Sequence, residues 1–477
     1  MKCLEKYEPL LGKIKQVYIL VFIGYILLAR IVPLVNFISL EVNSLIYAAL
    51  AIAGALILAA DFLMSFFVFK SRENILLFAF LVVCVISSVL NMQYGITSNL
   101  KTLVWSAIQF FVLFSIVNVK NEDEINTTMT RVMKFSSLVW FLGVLASLIE
   151  FFLLVGYIAP FDDFPREQGF VDSRLFGVFT DPNFAAVTSI MVVLFCKMML
   201  EDCESKAKRV YYYANIVIQL IYVVLSGSRT AMYGGAVLAF GVGILCTRNK
   251  ELRKGSVKPM AKAFIGGAIS AAVCVALIFA VKLTMPKLVE LYNEISASVQ
   301  TEQSYEVKKE HREKRLKEAE EMTLERADVT EDNYSNNRFK IWGNYIEVSA
   351  DHRLFGLSPR NLMSFLKANY PDNYLVTRGY DETHNGWLAI FVCTGIAGTL
   401  VMAAFFVCYA CELIRYIKAK KRKPIDTKFI VLLGSVFIIA FSALLQPEIF
   451  FINTYGAATF WMFLGYMLYF MKQEIKE

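Results

Sequence analysis

The residue best suited to chemistry in this sequence is His384, which with Asn385-Gly386-Trp387 opens an apolar run after about a hundred polar residues. Histidine gains and loses a proton near neutral pH, so it can take a proton from a hydroxyl group. The position predicts acid–base chemistry where the chain re-enters a membrane. The alternative is that His384-Asn385 only caps the next helix, as Asn often does.

Two arginines are placed where an anion could bind. Arg229 opens an apolar run in Ser226-Gly227-Ser228-Arg229-Thr230, and Arg338 opens a predicted amphipathic helix. A guanidinium matches phosphate oxygens in a bidentate manner, and helix N-termini also favour anions. A lipid diphosphate would fit, although interfacial arginines often only reach lipid phosphates or cap a helix. Further candidates for binding the diphosphate or a glycan are Arg174, Arg360, Arg378, Asn385, Asn183, Trp342 and Glu448.

The elements that must position these residues are membrane helices. The 477 residues are 57% apolar and 19% charged, with the charges clustered, which predicts an all-α polytopic membrane protein. Twelve apolar runs are long enough to cross a bilayer. They are 16–32, 42–69, 75–91, 101–119, 133–155, 175–199, 210–226, 229–247, 261–283, 385–411, 428–446 and 451–471.

Lys and Arg in the short connections predict the orientation. With a cytoplasmic N-terminus, 28 of them lie inside and 5 outside. Both termini are therefore expected in the cytoplasm. Residues 1–283 would hold helices 1–9, residues 284–383 a large extracytoplasmic loop between helices 9 and 10, and residues 384–477 helices 10–12.

The polar loop is expected to fold. Residues 303–327 alternate charges at helical spacing, and the polar run 331–337 should supply an N-cap for the helix beginning near Arg338. Another short helix is expected over 360–369, after a turn. Asp181, followed by Pro182, is expected to cap a helix rather than to catalyse.

Several function classes are excluded or disfavoured by what the sequence lacks. The spacing of the nine cysteines suggests neither a metal site nor a disulfide framework. No glycine-rich phosphate loop or nucleotide-sugar motif is present. The net charge of +7 is explained by membrane topology rather than by nucleic-acid binding. We therefore expect no cofactor, no metal and no nucleic-acid partner.

Four motifs in order carry a family resemblance. They are Gly177–Ala185 (GVFTDPNFA), Leu225–Ala231 (LSGSRTA), Arg338 with Trp342 and Asp351–Ser358 (DHRLFGLS), and His384–Leu388 (HNGWL) with Gly395–Gly398 (GIAG). Over about residues 170–410 the chain resembles the O-antigen ligase and Wzy-type polysaccharide polymerase superfamily of bacterial inner-membrane enzymes. Asp181 stands where that family often has Asn, and Phe355 and Ser358 depart mildly from its pattern.

The resemblance implies a metal-independent glycosyltransferase acting at the outer face of the cytoplasmic membrane. Its donor would be an oligosaccharide on undecaprenyl diphosphate, and its acceptor a sugar hydroxyl. His384, Arg338 and Arg229 would be catalytic, the arginines neutralising the diphosphate and His384 taking or binding the hydroxyl proton. Direct displacement would invert the anomeric configuration. Partners would be the lipid-linked donor and acceptor, membrane lipids, and a chain-length regulator and flippase of the same pathway.

Three functions remain open at this point. A polymerase would join lipid-linked repeat units of a capsule, O-antigen or exopolysaccharide, whereas an O-antigen ligase would transfer glycan to lipid A–core. A chain rich in Lys, Asn, Ile and Phe suits an AT-rich, Gram-positive host without lipid A–core, which favours the polymerase. A transporter or flippase of lipid-linked sugars is the alternative from another class, although no internal repeat is evident.

Overall fold

The computed structural model describes residues 8–65, 70–115, 122–159, 166–201, 203–256, 258–299, 306–324 and 335–476. These residues are mostly helical. The α-helices are α1 (Glu8–Leu28), α2 (Val32–Val35), α3 (Leu40–Ser65), α4 (Arg72–Leu90), α5 (Thr97–Ile108), α6 (Glu122–Phe152), α7 (Pro182–Glu201), α8 (Lys206–Leu225), α9 (Arg229–Arg253), α10 (Pro259–Val299), α11 (Glu306–Glu320), α12 (Arg338–Val348), α13 (Leu362–Asn369), α14 (Tyr374–Thr377), α15 (Gly386–Ala419), α16 (Thr427–Ser442) and α17 (Tyr455–Lys476).

The mostly helical chain agrees with the predicted all-α class, and a small antiparallel sheet is added to the helices. Its strands, in the order β1-β2-β3, are β1 (Gly156–Ala159), β2 (Arg166–Val171) and β3 (Arg174–Gly177). The strands lie between α6 and α7, and β3 occupies the first residues of the predicted span 175–199. Runs of four to six residues are too short to show a reliable two-residue alternation in the sequence.

Eight of the described helices are long and apolar enough to cross a membrane: α1, α3, α4, α6, α7, α9, α10 and α15. The chain is a multi-pass membrane protein, and the count of twelve spans stays a prediction. The predicted ninth span, 261–283, lies within α10, which continues through Pro286 to Val299 and is 41 residues long. The boundary between membrane span and loop at residues 283 and 284 stays a prediction.

The chain divides into two compact units. The first unit contains residues 1–26, 44–132 and 333–477, and the second contains residues 27–43 and 133–332. In the first unit a buried ion pair joins Lys15 of α1 to Asp61 of α3. We call residues 335–383 of this unit, which include α12, α13 and α14, the cap segment.

In the first unit, α15 folds back on itself. Gly395, inside the helix, has φ 63° and ψ −161°, a conformation essentially restricted to glycine. The rings of Trp387 and Phe406 lie 5.3 Å apart. Nineteen residues of straight helix would separate them by about 28 Å. The stretch from Gly386 to Thr394 is therefore one arm of a helical hairpin, and the predicted span 385–411 is not a single straight helix.

The apex of this hairpin is joined to the cap segment by backbone hydrogen bonds. Ile396 and Ala397 donate their amides to the carbonyls of Arg353 (2.7 Å) and Leu354 (3.1 Å), and the amide of Leu357 donates to the carbonyl of Val392 (2.8 Å). These bonds satisfy backbone groups that the break in the helix leaves without an intrahelical partner.

Close packing at the apex also accounts for a second glycine, because a Cβ on Gly356 would lie 2.5 Å from backbone atoms of Cys393 and Thr394. The DHRLFGLS and GIAG motifs thus contact each other through their backbones.

Candidate active site

The turn that carries His384 leads directly into the first arm of the hairpin. His384 is half-buried and has φ 48°, in the left-handed region that non-glycine residues seldom adopt. Asn385 is the N-cap of α15, and its Oδ1 accepts hydrogen bonds from the amides of Trp387 (3.0 Å) and Leu388 (2.9 Å). The capping alternative for Asn385 is thereby confirmed, whereas the chemistry of His384 remains a prediction.

Aromatic contacts connect this turn to α4, a helix of the same unit. Trp387 contacts Phe450 at 5.8 Å, and Phe450 contacts Phe80 at 6.2 Å. Phe80 precedes Leu90, the last residue of α4, by ten residues, or about 15 Å of helix. The hairpin apex, by contrast, lies close to that end, since Ser87 Oγ donates to the carbonyl of Cys393 (2.8 Å). The start of the first arm and the hairpin apex are thus connected to different parts of α4.

The loop between α16 and α17 packs against the His384 turn. The amide of Gly386 donates to the carbonyls of Ala443 (2.7 Å) and Gln446 (2.9 Å). Glu448 is 2% exposed, and its carboxylate packs against Gly456 at the start of α17. The sequence makes Glu448 a candidate for binding the diphosphate or the glycan. The structure places it inside the protein, next to the backbone of the His384 turn.

One aromatic ring of the cap segment contacts His384, and a second ring packs on the first. The ring of Tyr380 stands edge-on to that of His384 at 5.8 Å, and Tyr374 lies 5.8 Å from Tyr380. Lys340 Nζ lies 4.0 Å from the centre of the Tyr374 ring. Burial, reinforced by Tyr374, raises the pKa of Tyr380 above its ordinary value, so its phenol stays protonated at neutral pH. The histidine thus lies beside a neutral hydrogen-bonding ring that the sequence motifs do not mark.

A cavity of about 240 Å³ opens on the same unit. Arg360 and Glu382 form an ion pair on its wall, with Arg360 Nη1 3.1 Å from the Glu382 carboxylate. Asn99 fixes this part of the cap segment, because its Oδ1 accepts a hydrogen bond from the Arg360 amide (2.8 Å). Thr383, next to His384, also lines the cavity.

The other cap-segment candidates are dispersed. Arg338 begins α12, as predicted, but the preceding Asn337 adopts a left-handed conformation (φ 61°) and makes no side-chain capping bond. Trp342 is partly buried and packs on the cluster that includes Tyr345 and Phe365, and its role in substrate binding stays a prediction. Arg378 is exposed, at the end of α14.

Three candidates, Arg174, Asn183 and Arg229, lie in the second unit. Arg174, in β3, donates from Nε to the carbonyl of Ser226 (3.0 Å) and from Nη2 to Asn183 Oδ1 (3.0 Å). It thereby connects the start of α7 with the turn that leads to Arg229. Arg229 is the first residue of α9, as predicted, behind the N-cap Ser228. These bonds favour a structural role for Arg174 and Asn183.

Asp181 acts as the predicted cap, since its Oδ1 accepts hydrogen bonds from the amides of Asn183 (2.7 Å) and Phe184 (3.1 Å). Within the described residues, no cluster of three or more His, Cys, Asp or Glu is arranged to hold a metal ion.

Comparison with known proteins agrees with the motifs. Residues 214–403 match the family model described as O-antigen ligase. The matched region contains the motifs of Arg229, Arg338 and His384, while the Gly177–Ala185 motif lies before it. No curated protein in the comparison matches the chain. The resemblance drawn from the motifs is confirmed.

Proposed function

We propose that this chain, a member of the O-antigen ligase and Wzy-type polymerase superfamily through residues 214–403, polymerises lipid-linked oligosaccharides. The donor is a glycan on undecaprenyl diphosphate, and the acceptor is a sugar hydroxyl of another lipid-linked repeat unit. The family match supports a role in polysaccharide assembly. The lysine and arginine bias of the short connections supports a reaction on the outer side of the cytoplasmic membrane, with both termini inside.

The proposed reaction is a single displacement. The acceptor oxygen forms a bond to the anomeric carbon while the bond from that carbon to the diphosphate oxygen breaks. The diphosphate leaves with the electron pair, and His384 accepts the hydroxyl proton. Arg338 and Arg229 each start a helix, where guanidinium charge and backbone amides stabilise negative charge as it builds on a leaving diphosphate. Attack from the opposite face inverts the anomeric configuration.

The observation that carries this proposal is the position of His384. It is half-buried beside the neutral phenol of Tyr380, and the adjacent Thr383 lines the cavity that contains Arg360 and Glu382. A sugar hydroxyl in that cavity would approach the turn in which the histidine is held. The proposed step needs neither a metal nor a nucleotide.

An O-antigen ligase is the second candidate, because the matching family carries that description. The two functions differ only in the acceptor. A ligase would transfer finished glycan to lipid A–core, and a polymerase would transfer it to a new repeat unit. The amino-acid composition supports the polymerase, since it suits a host without lipid A–core.

Deletion of the gene separates the candidates. Surface glycan is run on a gel, and lipid-linked intermediates are extracted and sized. A polymerase predicts single repeats in place of long chains. Long chains retained on the lipid carrier would indicate a ligase. Absence of repeats from the outer leaflet would indicate a flippase and refute glycosyl transfer.

A further inference from the structure

The cavity of the first unit is lined both by charged or polar groups and by aromatic rings. Arg360, Asp381, Glu382 and Ser98 supply charged and polar groups, while Phe450 and Phe451 supply aromatic faces. Sugar rings have the same two-sided chemistry, with hydroxyls at the edge and C–H groups on the face. The volume of about 240 Å³ suits a single sugar ring better than a long chain.

The charge of the cavity distinguishes between the two substrates. Asp381 and Glu382 bring two negative charges and Arg360 one positive charge, and the positive charge is already paired with Glu382 at 3.1 Å. A diphosphate entering here would meet a net negative wall at short range, which is unfavourable. A neutral sugar would meet carboxylate acceptors for its hydroxyls, and bonds to charged groups are the stronger ones.

Hydrogen bonds of Ser358 and Asn361 fix the wall of the cavity that contains Arg360. Ser358 donates its amide to Ser87 Oγ (3.1 Å), and its own hydroxyl donates to the carbonyl of Arg360. Asn361 also bonds to the carbonyl of Gly95. These contacts fix Arg360 against the connection between α4 and α5, and a preformed site costs less conformational entropy on binding.

We propose that this cavity binds the terminal sugar of the acceptor glycan, and that Asp381 and Glu382 accept hydrogen bonds from its hydroxyls. The inference rests on the proposed glycosyl transfer. It assigns Arg360 to positioning Glu382 rather than to binding diphosphate. A sugar bound in this cavity would present its hydroxyl next to Thr383, the residue that precedes His384.

The test uses the full chain in lipid nanodiscs and two probes. Lipid-linked repeat units are extracted from cells that lack the protein, and part is treated with mild acid to release the free oligosaccharide. Without diphosphate, the free oligosaccharide can act only as an acceptor. Its binding is measured by calorimetry, and its elongation is measured with the lipid-linked units as donor.

Two matched pairs of variants probe the cavity. Ser98→Trp places a large ring at its wall, whereas Thr97→Trp alters the preceding residue, which is exposed and does not line the cavity. Glu382→Gln removes a carboxylate, and Asp372→Asn does so at an exposed site elsewhere in the cap segment. We expect Ser98→Trp and Glu382→Gln to raise the KM for the oligosaccharide by about tenfold, with the KM for the donor unchanged. The controls should match the wild type.

The outcomes separate the two proposals. Wild-type elongation with an unchanged oligosaccharide KM in both cavity variants would refute the subsite and leave glycosyl transfer standing. Oligosaccharide binding that Ser98→Trp abolishes, without elongation by the wild type, would support the cavity and refute the transfer. A wild type that neither binds nor elongates the oligosaccharide would overturn both.

Discussion

Substitution of Gly395 tests whether the helical hairpin organises the site. Gly395→Ala would place a Cβ 2.5 Å from backbone atoms of Arg353 and Leu354, in a conformation that alanine avoids. The backbone strain alone is about 1–3 kcal/mol. If the apex moves, the hydrogen bonds from Ile396 and Ala397 to the cap segment are lost as well, at about 1 kcal/mol each. We expect a total destabilisation of about 3–5 kcal/mol.

The matched control is Gly343→Ala in α12. Nothing lies within 4 Å of a Cβ built on Gly343, and the residue is exposed on a regular helix. Alanine there should stabilise the helix by about 0.5–1 kcal/mol. Thermal unfolding of both variants in nanodiscs, followed by tryptophan fluorescence, measures the contrast. If Gly395→Ala unfolds at the same temperature as Gly343→Ala, the hairpin is not a constrained element and the reasoning fails.

Three further predictions follow from the same geometry. In a background without native cysteines, a short bifunctional maleimide should cross-link Trp387→Cys/Phe406→Cys, a pair that a straight helix would hold about 28 Å apart, and should cross-link Trp387→Cys/Ile414→Cys, about 12 Å further along the helix, much less; equal yields would refute the hairpin. Asn385→Ala should lower the free energy of unfolding by about 1 kcal/mol through loss of the N-cap, whereas Asn385→Asp should not, because Asp also caps helices. Chemical denaturation measures both variants, and an equal loss in the two would contradict the capping role. Lys15→Met should lower the free energy of unfolding by about 3–5 kcal/mol because the buried carboxylate of Asp61 loses the charge of Lys15. Lys15→Met/Asp61→Leu should recover most of that loss, and a double variant no more stable than the single one would contradict a role for the ion pair.

Local signals in the sequence located many of the helix starts correctly. Arg229 and Arg338 each begin a helix, and Asp181 and Asn385 cap one, because caps depend on a few neighbouring residues. The apolar runs also predicted helices, since run length reflects what a bilayer requires.

The hairpin could not be predicted in this way. Gly395 lies in a continuous apolar run, and its conformation is stabilised by carbonyls more than forty residues earlier in the chain. The same limit applies to the cavity, whose Ser98, Glu382 and Phe450 come from three distant segments.

The central claim is that the chain transfers glycan from a lipid diphosphate with the help of His384 and Arg338. Its most direct measurement is polymer formation from purified lipid-linked repeat units by the protein in nanodiscs, followed on a gel. We expect the wild type to produce a ladder of chains, and His384→Ala and Arg338→Ala, folded to the wild-type unfolding temperature, to leave single repeats. Full-length polymer from either variant would contradict the account.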